Sequence, residues 1–114
     1  MELRRTDGSV RVIRSADGLD CTAPLRTACL RITRDALAQS IRGAIVKSAS
    51  PSCAAGGAPL LPEQGGSARL DGVGLLVQTL REAAPDLPVI DEAVFEDAGQ
   101  RAAFFSLIFR RIVP

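Results

Sequence analysis

The chain has 114 residues, 46% hydrophobic and 24% charged, with a formal net charge of +1, four Phe, and no Trp, Tyr or His. That length fits one domain with a modest aliphatic core. The absence of histidine removes His-dependent acid–base catalysis, Ser/His/Asp and Cys/His nucleophile pairs and imidazole metal sites. The basic residues are almost all Arg, are dispersed, and form no groove interleaved with aromatic platforms, so nothing favours nucleic acid as a partner.

In chain order, residues 2–5 read as a short strand turning at Asp7-Gly8 into a second strand, Ser9–Arg14. Thr22-Ala23-Pro24 reads as a helix start, because proline is tolerated in the first turn. Leu25, Ala28, Cys29, Ile32, Ala36 and Leu37 then recur near the helical period, and Gly43 is placed to end the helix in a left-handed cap. Ala44-Ile45-Val46 is either a buried strand or the last turn of that helix. Residues 48–67, rich in Ser, Pro, Gly and Ala, have no visible period and read as a flexible loop or insertion. Leu75 to Ala84 forms an amphipathic helix with Asp71 near its cap, and Leu87–Ile90 a short strand. Asp97 caps a last helix of about 98–110 with Ala102, Phe105, Ile108 and Phe109 inward, and Ile112-Val113 is a candidate edge strand. This alternation argues an α/β layer fold, read as a single domain over 1–114 with the insertion at about 48–67.

Cys21, Cys29 and Cys53 form no CxxC pair, and an odd count argues for free thiols in a reducing, cytoplasmic setting. Cys21 and Cys29 would share a metal only with Cys53 and a carboxylate. Cys29, on an apolar helix face, reads as a core residue. No metal site and no cofactor site is therefore expected, and no apolar stretch approaches the length of a membrane span. Gly72-x-Gly74 lacks the third glycine of a dinucleotide loop and reads as a tight strand-to-helix turn. Asp91, Glu92, Glu96 and Asp97 read as a solvated, helix-initiating run. Asp20 and Asp71 are possible paired carboxylates that nothing in the sequence brings together.

Two stretches together resemble the STAS domain of anti-sigma-factor antagonists. Gly18-Leu19-Asp20 with Thr22-Ala23-Pro24-Leu25 is similar to the family's opening, and Leu70-Asp71-Gly72-Val73-Gly74-Leu75-Leu76-Val77 to its second signature. The resemblance implies a single-layer mixed sheet with helices packed mainly on one face. It also implies a non-catalytic protein-docking module whose partner is a kinase-like anti-sigma factor. The partner-binding residues would be Asp20, Asp71, Gly72, Val73, Gly74, Leu75 and Leu76. The family's phosphorylatable Ser or Thr is replaced by Gly72, so regulation would be lost or moved to Ser67 or Thr79. A structural subunit of a larger or homo-oligomeric complex is the alternative reading, and an enzyme using carboxylate or cysteine chemistry a distant third.

Overall fold

The computed structural model describes the backbone of residues 1–112 and the side chains of residues 1–110. Its first two strands, β1 (Glu2–Thr6) and β2 (Ser9–Ile13), form the expected antiparallel hairpin. Asp7 and Gly8 both take positive φ, 49° and 80°, which gives the turn a twist matching that of the strands. Period-two burial puts Leu3 opposite Val12, and both side chains are almost fully buried.

Helix α1 (Thr22–Ala38) starts where Pro24 predicts. Asp20 Oδ1 accepts from the Thr22 amide at 2.9 Å, and the Thr22 hydroxyl accepts from the Val12 amide at 2.8 Å. These bonds tie the helix start to β2. The helix ends before Gly43: Ser40, at φ 58°, is the left-handed residue, and its amide donates to the Leu37 carbonyl at 3.0 Å. Gly43 serves packing instead, since a Cβ there would lie 3.0 Å from Phe104 Cζ and Ile108 Cδ1. The buried stripe of α1 is Thr22, Cys29 and Thr33, whereas the expected inward residues Ala28 and Ile32 are exposed. Thr33 reaches Thr79 at 3.1 Å, and Thr79 donates to the Leu76 carbonyl, so this buried hydroxyl pair is fully satisfied.

Strand β3 (Ala44–Val46) pairs in parallel with β6 (Val89–Asp91), which resolves residues 44–46 as strand. Between them in sequence lie β4 (Ala58–Leu61), β5 (Arg69–Gly72) and α2 (Leu75–Ala83); α3 (Glu92–Phe95) and α4 (Ala98–Ile112) follow β6. The fold is a small α/β mixed-sheet arrangement. The expected single sheet is two: a four-stranded sheet ordered β2-β1-β4-β5 and the β3-β6 pair.

The largest departure from expectation lies in residues 48–67. β4 occupies the interior of the main sheet, parallel to β1 (Leu3↔Leu60) and antiparallel to β5 (Ala58↔Gly72). Ala58 and Leu60 face the core beside Leu3, Val12, Cys29, Ala54 and Leu75. Burial of a leucine side chain such as Leu60 stabilises by roughly 1.5–3 kcal/mol, so residues 58–61 are a structural part of the sheet. Pro59 fits within an interior strand because the β4–β5 register shifts between Ala58 and Leu60, where its missing N–H breaks no regular pairing.

In α4 the buried aromatic is Phe104, while Phe105 and Phe109, expected inward, are exposed. Phe95 packs edge-on against Phe104 and Phe105 at centroid separations of 6.2 and 5.7 Å, and Arg101 lies over its ring. Asp97 caps α4 as expected, accepting from the Gln100 amide at 2.9 Å. Of the proposed edge strand, Ile112 is helical and Val113 lies outside the described residues. Among the described residues no helix is long and apolar enough to cross a membrane.

Candidate functional site

The residues that leave β3 build a turn whose geometry is fixed from three directions. Ala49 takes φ 59°, and Ser50 Oγ then accepts from the amides of Ser52 and Cys53 at 3.2 and 3.1 Å. The Ala54 amide closes onto the Ser50 carbonyl at 3.0 Å. This is a single helix-like turn with Ser50 as its cap and Pro51 at the position where proline costs no hydrogen bond. Ser52 Oγ stands 3.0 Å from Ser50 Oγ and 3.4 Å from Cys53 Sγ.

The second constraint is the start of α2. A helix begins with amides that lack intrahelical partners. Here Gly74 N donates to the Ala54 carbonyl at 2.8 Å, Leu75 N to Pro51 at 3.2 Å and Leu76 N to Ser52 at 2.7 Å. The turn is thus stapled by its carbonyls onto the helix N-terminus. Gly74 has an ordinary φ of −64°, so its conformation does not call for glycine; space does. A Cβ there would collide with the Cys53 amide and lie 2.5 Å from Ala54 N and Ser52 C.

The third constraint comes from Glu92, whose carboxylate accepts from the Ser48 amide at 2.6 Å, the Ser48 hydroxyl at 2.7 Å and Lys47 Nζ at 3.4 Å. The Ser48 hydroxyl, then its amide, hold the Glu92 carboxyl well below the usual carboxylate range, at about 2. Asp20 is likewise held at about 2, first by Thr22 and then by Arg11 at 2.8 Å. Both carboxyls titrate lower in the folded chain than in the unfolded one. Their contribution to stability is therefore complete above about pH 4.5 and is lost as pH falls toward about 2. Thermal unfolding followed between those limits is expected to show Asp20→Asn and Glu92→Gln each flattening the acid loss of Tm; equal slopes for wild type and variants would refute the assignment.

The expected site residues are distributed as follows. Asp20 joins Arg11 to the start of α1, apart from the other six, which are contiguous along β5 and the entry to α2. Asp71 is exposed and pairs with Arg69 at 2.9 Å. Gly72 is buried against β4, where a Cβ would lie 2.7 Å from the Ala58 carbonyl oxygen. Asp71, Gly72 and Val73 line an open groove of about 450 Å³ with Arg5, Arg81 and Glu82. Gly74 and Leu75 are buried and Leu76 half-buried, at the start of α2 where the Cys53 turn docks. Of the alternative phosphorylation positions, Ser67 is exposed and Thr79 is buried against Thr33. The residues that organise the turn, Ser48, Ser50, Ser52 and Cys53, belong to the stretch read from composition as a loop. The legible signal was Ser50-Pro51, a capping residue followed directly by proline.

The comparisons with known proteins point away from the STAS domain. A family model described as 2-thiouracil desulfurase matches residues 1–92, which include the whole Cys53 turn and Glu92. A solved structure described as a 4Fe-4S-dependent thiouracil desulfidase, TudS, superposes with a TM-score of 0.64 at 25% identity, covering 90% of this chain and 63% of that one. The chain thus spans somewhat less than two thirds of the length of that relative. No curated protein matches. The family and the structural relative are desulfurating enzymes, which overturns the STAS resemblance, the non-catalytic reading with its structural-subunit alternative, and the anti-sigma partner. The STAS-like signatures are short runs of common residues at a strand-to-helix turn, a local geometry that unrelated folds share.

The cofactor named for that relative allows a direct test of the thiols. Iron–sulfur clusters of this type are held by cysteine thiolates, commonly one per iron. Cys29 is buried in the core, where burial pushes its thiol pKa up and the nearby Cys53 adds to the rise. Cys21 precedes α1 by one residue, about 12 Å along the helix axis from Cys29 at 1.5 Å per residue. Among the described residues no three Cys, His, Asp or Glu side chains come together as a metal-holding group. The thiols of these 114 residues therefore do not fit a 4Fe-4S cluster by themselves, and only Cys53 combines a half-exposed position with a built turn. With the match of residues 1–92 to its model, the chain belongs to the 2-thiouracil desulfurase family.

Proposed function

We propose that this chain contributes the Cys53 turn to the active site of a desulfurating enzyme acting on a thiolated pyrimidine of the thiouracil class. The observation that carries the reading is the Ser50–Cys53 turn. It holds a half-exposed thiol on a backbone fixed by two hydroxyl-capped amides and three helix amides, within the region that matches the family. Functional groups work best when their supporting shell leaves them little freedom, and this turn meets that requirement on a helix and a strand end. Cys53 is the chemically competent member of the three thiols, because Cys29 is enclosed by Leu3, Val12, Leu60 and Leu75. The Cys21 thiol makes a long contact, 3.6 Å, to the Leu19 carbonyl and sits on no comparable turn. The substrate class rests on the family and the relative; the chain's own part is to place one sulfur.

The test is a chimera in which this chain replaces the matching portion of the solved thiouracil desulfidase. Conversion of 2-thiouracil to uracil would be followed under anaerobic conditions. The expected result is activity that Cys53→Ser reduces by at least about a hundredfold, the order of loss seen when a group acting in the transition state is removed, while Cys21→Ser leaves it within about twofold. A folded, active chimera insensitive to Cys53→Ser would sink the reading.

A further inference from the structure

We infer that Glu92 is a positioning residue for the Cys53 turn: through Ser48 its carboxylate sets where the turn leaves β3, and so where the Cys53 sulfur stands. The inference rests on the reading of Cys53 given above, and it adds a residue from a distant element to that site. Glu92 lies 44 residues from Ser48 and directly follows β6, the strand paired with β3. The β3–β6 ladder ends at Val46↔Asp91, so Lys47 and Ser48 have left the sheet and take no further strand partner there. At that point the Glu92 carboxylate takes over the tether, using one oxygen for the Ser48 amide and the other for its hydroxyl. Two residues later Ser50 begins the cap that orders Ser52 and Cys53. The far side of the turn is held by the α2 amides, so Glu92 completes a two-ended clamp.

Neighbouring carboxylates have other tasks. Asp91 caps α3 through the Val94 amide at 2.8 Å, and Asp97 caps α4. Within this acidic run it is the Glu92 side chain that hydrogen-bonds the segment leaving β3. Since the amide and hydroxyl of Ser48 together need an acceptor and a second polar atom, a glutamine in the same place can serve both, whereas alanine can serve neither. The role is therefore geometric first, and the Lys47 pairing, at 3.4 Å and largely exposed, is secondary.

The experiment is pseudo-first-order alkylation of the native full chain with iodoacetamide, resolved by peptide mass mapping into Cys53 and Cys21, with Tm recorded alongside. Glu92→Ala is expected to change the Cys53 rate by at least about threefold through local opening of the turn, leave Cys21 within experimental scatter, and be restored by Glu92→Gln. Should Glu92→Ala fail to unfold cooperatively, Ser48→Ala carries the test with an expected change of about twofold, because it removes one of the two tethers. An unchanged Cys53-to-Cys21 ratio in the folded variants, or Glu92→Gln behaving like Glu92→Ala, would overturn the inference. Labelling needs no turnover, so the two proposals fail separately. A chimera indifferent to Cys53→Ser removes the catalytic reading with the clamp intact, while an unmoved ratio removes the clamp alone.

Discussion

Replacing Gly74 with alanine is expected to destabilise the chain by about 3 kcal/mol or more, the upper range for forcing atoms into a packed interior. An added methyl would meet backbone, the Cys53 and Ala54 amide nitrogens and the Ser52 carbonyl carbon, and backbone cannot yield as the end of a flexible side chain would. Relief requires the turn to lift from α2. That strands the carbonyls of Pro51, Ser52 and Ala54 together with the helix amides they accept from. Each buried polar group left without a partner costs a further ~1–3 kcal/mol, so the strain has no inexpensive outlet. Denaturant unfolding of Gly74→Ala against wild type measures this. A loss below about 1 kcal/mol would mean that the turn is not stapled to the helix as described. Gly72→Ala is the control for site against fold: its Cβ would press on the Ala58 carbonyl and Leu3 in the sheet core and not on the Cys53 turn. Only Gly74→Ala is therefore expected to alter Cys53 labelling in whatever fraction remains folded.

Anaerobic incubation of the isolated 114-residue chain with ferrous iron and sulfide is expected to leave iron far below one 4Fe-4S cluster per chain. The three thiols are divided among a core position, the residue before α1 and the Cys53 turn, and no trio of soft or hard donors converges among the described residues. Moving Cys29 into a ligand set would require opening the core around Leu3, Val12 and Leu60. The matched desulfidase is cluster-dependent, and this chain spans 63% of its length. A cluster in a site of that kind therefore needs thiolates that these 114 residues do not bring together. Iron and sulfide analysis with the absorption spectrum of the gel-filtered product decides it. Stoichiometric cluster formation in the isolated chain, abolished by Cys53→Ser, would overturn the prediction. The same loading in the chimera with the desulfidase remainder is the positive counterpart.

Much of the local structure was legible. Asp7-Gly8 announced a hairpin because only a few residues accept two successive positive φ angles. Pro24 and Asp97 marked helix starts because capping and missing amides are properties of a few adjacent residues. The site itself was much less legible. Ser50-Pro51 carried a cap signal, but a turn of four residues is below the length at which periodicity can be read, and the surrounding Ser, Gly and Ala suggested disorder. The inward faces of α1 and α4 depart from those the hydrophobic period predicts for a related reason. The stripe that packs depends on what lies opposite: Thr33 is buried because Thr79 is its partner, and Phe104 because Gly43 leaves room for it.

The sequence by itself determined the α/β alternation, the first hairpin, the starts of α1 and α4, the lack of imidazole chemistry and the burial of Cys29, since composition, turn residues and hydrophobic period are encoded within a dozen residues. Only the tertiary structure decided that β4 belongs inside the sheet, that Gly74 is glycine for want of space, and that Glu92 reaches Ser48. Each of these is a contact between segments far apart in sequence, and its energy does not exist until the chain has folded around it.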